Sequence, residues 1–188
     1  YASNEGGGVH VYGDDLYLND CMFLSNSAAS EGGGLYAEAS NVEVNRTTFE
    51  LNRVVDFYGA FSPYGGGLYI EDGFGSASLT VDDSYFINNN AFIGMGIADG
   101  GTGGALYAHQ TDTTITNTVF DGNSAFSAGA VHFQTISVGQ IAFINRCTFI
   151  NNKTSYHVSQ SAGAAAFQQV DGQTMIVSPR RNPQRLGK

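Results

Sequence analysis

The residues of this chain that could do acid–base chemistry are few and scattered. Hydrolysis between two carboxyls needs a pair of acids on one face. The best doublet is Asp82-Asp83. A lyase needs a basic residue beside carboxylates that hold an acidic sugar or a metal. Residues 1–177 offer only Arg46, Arg53, Arg146 and Lys153 as cations. His10 and His132 fall at equivalent places in a repeat described below, but four repeats apart, about 19 Å at the spacing of stacked strands. The histidines and the two cysteines lack zinc-ligand spacing, and no calcium-binding nonapeptide is present. No catalytic residue, metal or cofactor is therefore expected. Asn45-Arg46-Thr47 and Asn152-Lys153-Thr154 match the acceptor pattern for N-glycosylation.

Composition narrows the class. Glycine is 25 of 188 residues, charged residues are 13% and proline is only 3. Hydrophobic residues reach 42%, too many for a disordered chain. No apolar run approaches the ~20 residues of a membrane-spanning helix. Residues 1–177 hold four cations against 17 acids, a net charge of −13, which would repel nucleic acid. Four cations (Arg180, Arg181, Arg185 and Lys188) lie in a basic tail over 178–188. The start lacks a Met and a signal-like segment, so a fragment of a longer protein is expected.

What must position any site is an internal repeat. A glycine motif reads Gly6-Gly7-Gly8-Val9-His10, Gly32-Gly33-Gly34-Leu35-Tyr36, Gly65-Gly66-Gly67-Leu68-Tyr69 and Gly103-Gly104-Ala105-Leu106-Tyr107. It decays to Ala128-Gly129-Ala130-Val131-His132 and Ala162-Gly163-Ala164-Ala165-Ala166. Between these stand Phe23-Leu24-Ser25-Asn26, Phe49-Glu50-Leu51-Asn52, Phe86-Ile87-Asn88-Asn89, Phe120-Asp121-Gly122-Asn123 and Phe149-Ile150-Asn151-Asn152. From the apolar residue of one motif to the Phe of the next is 14, 14, 18, 14 and 18 residues. The shortest period is 25 residues, and segments such as Val42-Glu43-Val44 alternate at period two. About three short strands per period, stacked coil on coil, predict an all-β parallel β-helix over 1–177. Five to six coils would make a rod roughly 25 Å long.

Stacking assigns each column a place. Val9, Leu35, Leu68, Leu106 and Val131 should point inward. Phe23, Phe49, Phe86, Phe120 and Phe149 should stack inside, and Asn26, Asn52, Asn89, Asn123 and Asn152 should form an amide ladder at a corner. Asp20, Arg46, Asp83, Asn117 and Arg146 should point out as paired surface charge. Cys21 and Cys147 share a column with Thr47, Ser84 and Thr118, and their distance forbids a disulfide. They are expected to be reduced, mostly buried and to act as small apolar residues.

The alternating GGGLY/GGALY and FxxN pieces resemble the repeats of polymorphic outer-membrane proteins, over about residues 6–167. Those are autotransporter-type surface proteins, and the resemblance implies a right-handed β-helix passenger, secreted or displayed at the cell surface or outer membrane, with an adhesive role.

Two surfaces are candidates for binding. His10, Tyr36, Tyr69, Tyr107 and His132 should form an exposed aromatic stripe that could stack on sugars or anchor a protein. The insertions over 53–64 and 90–102 should emerge at one corner and bring together Phe57, Tyr58, Phe61, Tyr64, Phe92, Ile93 and Met95. The expected function is a non-enzymatic, monomeric module that binds protein or glycan. The rival is a carbohydrate-active β-helix enzyme: a polysaccharide lyase, hydrolase or epimerase.

Overall fold

Four parallel sheets wrap around one apolar core. The structure, a computed structural model, describes residues 5–38, 41–56, 63–73, 75, 77–93, 101–134, 140–154, 165–168 and 174–178. The first sheet stacks Val9–Tyr12, Leu35–Glu38, Leu68–Glu71, Leu106–His109, Val131–Gln134 and Ala165–Gln168. The second stacks Leu16–Asn19, Asn41–Asn45, Ser78–Asp82, Asp112–Thr116, Ile141–Asn145 and Thr174–Ser178. The third holds Met22–Leu24, Thr48–Glu50, Tyr85–Ile87, Val119–Asp121 and Thr148–Ile150. The fourth holds Ser27–Ala28, Arg53–Asp56, Asn90–Ile93, Ser124–Ala125 and Lys153–Thr154. Five full coils and two strands of a sixth result. Among the described residues no helix is long and apolar enough to cross a membrane.

The repeat sets the register. Val9, Leu35, Leu68, Leu106 and Val131 are paired in one column. The five motif phenylalanines form another. Their rings stack at centroid spacings of 4.6, 4.8, 5.0 and 4.9 Å, within 13° of parallel. Leu18, Val42, Val44, Leu79, Val81 and Ile115 complete the core from the second sheet.

Each coil has four strands, not three. The fourth is as short as two residues, too brief to leave a periodic signal, and it follows the motif Asn directly. Arg53–Asp56 and Asn90–Ile93 pair with each other, so both insertions begin as sheet rather than as loops.

Three corners share one backbone solution. Gly6, Gly32, Gly65 and Gly103 have positive φ, and Ala128 takes the same conformation in the fifth coil. Asp20, Arg46, Asp83, Asn117 and Arg146 all have φ between 44 and 55°. Ser25, Leu51, Asn88, Gly122 and Asn151 at the next corner lie in the same left-handed region, with φ between 52 and 68°. Aspartate and asparagine tolerate that region best among residues with a side chain, whereas Arg46 and Leu51 occupy it at some strain. The Asp20 column is thus first a turn. Its charge pairing is seen at Asp20 and Arg46, joined by two hydrogen bonds of 2.7 Å.

The second glycine of the motif has another purpose. A Cβ at Gly66 would lie 2.3 Å from the carbonyl oxygen of Gly104 and 2.5 Å from Asn90 backbone atoms. Only a bare Cα lets successive coils approach so closely.

Candidate functional site

Two ladders hold the corners, and each is built from side chains that replace backbone partners. Asn52 Nδ2 donates to Asn89 Oδ1 at 3.0 Å and to the Phe23 carbonyl at 2.8 Å. The Asn52 backbone N–H donates to the same Asn89 oxygen at 3.0 Å. This unit repeats from Asn26 through Asn123 to Asn152. Asn52, Asn89 and Asn123 are fully buried. Asn152 Nδ2 is bonded to the Phe120 carbonyl, so its sequon competes with the ladder.

The second ladder is the column read above as merely small. Thr47 Oγ1 donates to the Asn45 carbonyl and accepts from the Cys21 backbone N–H. Ser84 and Thr118 donate to Asp82 and Thr116 carbonyls in the same way. Cys21 Sγ and Cys147 Sγ face the carbonyls of Asn19 and Asn145 at 3.3 and 3.4 Å. The thiols stand in for hydroxyls. They are half-buried donors rather than mostly buried apolar residues, and neither forms a disulfide. The shared signal in the sequence was an X–H group two residues before each Phe.

The outer face of the first sheet gathers the titratable groups. Strand alternation points His10, Tyr36, Tyr69, Tyr107 and His132 outward from the core. They do not form an exposed stripe. Tyr36, Tyr69 and Tyr107 are 4%, 3% and 3% exposed, and His132 9%. The three tyrosines make a second apolar cluster with Tyr64 leaning on it. Their rings stack on one another at 5.3 Å, within 6° of parallel, and His132 continues the stack on Tyr107 at 5.0 Å. The ring faces are consumed by this stack, so they cannot receive a sugar. Only His10, edge-on to Tyr36, is exposed.

Two polar columns flank the stack. One is Glu5, Glu31, Tyr64, Thr102 and Ser127, bridged in sequence order. The other is Tyr12, Glu38, Glu71, His109 and Gln134. Neither column was singled out in the sequence. Their signals are the residue just before each glycine run and the residue three after each inward apolar one. Tyr36 donates its hydroxyl to Glu71 Oε1 at 2.6 Å, and Tyr69 donates to Oε2 at 3.0 Å. His109 Nδ1 lies 3.5 Å from Oε2. Tyr107 bonds to Gln134. The His109 contact, with both tyrosines, holds the Glu71 carboxyl below the usual range against its burial. Burial, then the Glu71 and Glu5 carboxylates, push Glu31 up to about 7. Burial, then His109, push His132 down to about 4. Neither ring nitrogen of His132 has a hydrogen-bond partner.

A protonated carboxyl beside an ionised one is the pattern of acid–base pairs. Here both oxygens of the ionised member are already engaged, which makes Glu71 a fixed acceptor. Asp82 of the Asp82-Asp83 doublet is committed as well. It accepts from Thr116 and Asn117 of the next coil, and those bonds lower its carboxyl. Among the described residues no group of three His, Cys, Asp or Glu side chains is placed to hold a metal ion.

Of the corner-loop residues, the structure describes Tyr64, Phe92 and Ile93. Phe57, Tyr58, Phe61 and Met95 lie outside the described residues. Tyr64 belongs to the tyrosine cluster, while Phe92 is exposed on the fourth sheet opposite Val55. Ile93 ends that strand. Among the described residues, exposed apolar side chains also stand on the third sheet. There Met22, Leu24, Tyr85 and Ile150 project on either side of the buried phenylalanines.

These features define a right-handed parallel β-helix, and the chain belongs to that family. Residues 1–120 match the family described as the right handed beta helix region. The chain is also similar to the metabotropic glutamate receptor-like protein R of Dictyostelium discoideum, 30% identical over 166 residues, or 87% of this chain and 9% of that protein. It is similar to the probable autotransporter YfaL of Escherichia coli strain K12, 28% identical over 112 residues, or 57% of this chain and 8% of that protein. The chain thus spans less than a tenth of the length of either relative. No solved structure matches.

Proposed function

We propose that this β-helix is a non-catalytic, monomeric, rigid module of a secreted or surface-displayed protein, of the autotransporter-passenger kind, which binds another protein through a lateral face. The observation that carries this reading is the outer face of the third sheet. Its central phenylalanines are buried, yet Met22 and Tyr85 beside them are 60% and 45% exposed, in one column. A flat sheet face with apolar side chains in an acidic surround suits a protein partner better than a nucleic acid. The relatives support this reading: each matches the chain over a small part of a much larger protein, and one is a probable autotransporter. The test is a binding screen of the chain against intact cells and a glycan array. Met22→Lys with Tyr85→Lys should abolish cell binding and leave the melting curve unchanged. Binding that survives this double change would remove the third-sheet face from the proposal.

A second reading has one observation behind it. On one face the Glu31 carboxyl is pushed up by burial while the Glu71 carboxyl is held down by its hydrogen-bond partners, the divergence an acid–base pair uses. Incubation with a panel of acidic and neutral polysaccharides separates the readings. New reducing ends or unsaturated uronates, lost in Glu31→Gln, would establish the enzyme.

A further inference from the structure

The stack on the first sheet joins two clusters of opposite chemistry. Around Tyr36 and Tyr69, in coils one to three, the neighbouring acids are Glu5, Glu31, Glu38 and Glu71. Around Tyr107, in coils four and five, they give way to the imidazoles His109 and His132. Parallel rings run unbroken from Tyr36 to His132.

We propose that this face is a two-ended pH latch, in which deprotonation of Glu31 loosens the N-terminal coils and protonation of His132 loosens the C-terminal ones. The groups that bear on Glu31 are Glu5 from the first coil and Tyr36 from its own. The third coil adds Tyr64, Tyr69 and Glu71, and the fourth adds Tyr107 and His109. His109 is the one whose positive charge bears on Glu31 itself, while His10 of the first coil lies 3.9 Å from Glu5 and edge-on to Tyr36. Loss of the Glu31 proton sets a second anion beside Glu71 in a half-buried site, where water screens repulsion poorly. The folded chain holds this proton more tightly than the unfolded chain does. That stabilisation is complete at pH values below the ordinary Glu range and is lost as pH rises through about 7.

His132 works in the other direction. It faces Tyr107 and His109 from the preceding coil and shares its own strand with Gln134. The strand paired on its other side, Ala165–Gln168, has no titratable residue in its sequence. A proton on this buried ring would meet neither an acceptor nor solvent, and would lie near a second imidazole. The folded chain therefore favours the neutral ring. Its contribution is complete above the ordinary histidine range and is lost as pH falls through about 4. Coils of a solenoid touch only their neighbours, so one end can open while the other stays closed.

Hydrogen exchange on the whole chain, corrected for the intrinsic pH dependence of exchange, tests the latch. Protection over 35–38 should fall about thirtyfold between pH 5.5 and pH 8, the factor set by a carboxyl raised to about 7 in the folded chain. Protection over 131–134 should fall about fortyfold between pH 6.5 and pH 4.5, the factor set by an imidazole lowered to about 4. Glu31→Gln should erase the first response and spare the second. His132→Phe, which keeps a ring in the stack, should do the reverse. Responses in the same direction at both ends, or responses that survive the matching substitution, overturn the latch. Should either variant fail to fold, NMR titration of Glu31 and His132 in the unmodified chain decides. Ordinary carboxyl and imidazole values refute the latch, and a raised Glu31 with a lowered His132 sustains it.

Discussion

Replacing Asn89 by Ala is the sharpest perturbation of the rod. The side chain is fully buried and takes part in four hydrogen bonds. Its oxygen accepts from the Asn52 backbone N–H and from Asn52 Nδ2, each at 3.0 Å. Its amide donates to the Phe49 carbonyl at 2.8 Å and to Asn123 Oδ1 at 3.0 Å. Truncation orphans two donors on Asn52 and leaves the Phe49 carbonyl one partner short. Asn123 Oδ1 still accepts from the Asn89 backbone N–H. Two orphaned donors at about 1–3 kcal/mol each put the loss at about 2–6 kcal/mol. The same change at Asn26 is the control. That residue is half-buried in the first coil and sends one side-chain bond to Asn52, while its backbone N–H keeps the other. Its cost should stay near 1 kcal/mol. Urea unfolding, followed by both circular dichroism and tyrosine fluorescence, measures both variants. Equal midpoints for Asn89→Ala and Asn26→Ala would refute the claim that the ladder carries stability through its buried members.

Three further outcomes are expected. Gly66→Ala should destabilise by about 3 kcal/mol or more, because its Cβ would sit 2.3 Å from the Gly104 carbonyl oxygen. Gly67→Ala should cost less, since its Cβ would lie 2.7 Å from the Ala105 carbonyl oxygen and Ala105 and Ala130 occupy that place in the fourth and fifth coils; thermal melts of the pair check the contrast. Cys147→Thr should leave the melt within about 1 kcal/mol, because Thr47 and Thr118 make the same bond in the same column, whereas Cys147→Val should lose about 1 kcal/mol with the donor. Arg46→Met should lower stability at low ionic strength and show no measurable effect at 0.5 M salt, since the Asp20–Arg46 pair is exposed.

The legibility of this fold followed the identity of the stacked residues. Phe and Asn recur unchanged, so their columns and register could be read from spacing alone. The Cys21, Thr47, Ser84, Thr118 and Cys147 column varies in chemistry, and size was the more obvious common factor. The property that matters there, a donor to the carbonyl two residues back, emerges only once the corner closes. Direction was legible for the tyrosine stripe, because pleating alternates. Exposure was not, because alternation says which way a side chain points and nothing of what it meets. The fourth strands were missed for a reason of length: Ser27–Ala28 and Ser124–Ala125 are two residues each, no longer than one period of alternation. Glu31 and Glu71 were missed because columns of mixed composition carry no motif. Their chemistry is a product of neighbours one coil away, at a sequence separation that the insertions make irregular.

This division bears on where recognition can evolve. The asparagine ladder bonds from coil to coil, and the hydroxyl column closes each corner onto the carbonyl two residues back. A substitution there is felt above and below, as at Asn89. The outward columns of the third sheet read Met22, Thr48, Tyr85, Val119 and Thr148, then Leu24, Glu50, Ile87, Asp121 and Ile150. They differ in size, charge and polarity from one coil to the next, although the backbone beneath them is the same. Nothing in the ladders constrains them, so their sequence is free to answer to a partner. The first-sheet face lacks that freedom, because Tyr36, Tyr69 and Glu71 hold one another through hydroxyl–carboxylate bonds across two coils. A binding surface is therefore expected where the columns vary without structural consequence, and a response to conditions where they are coupled.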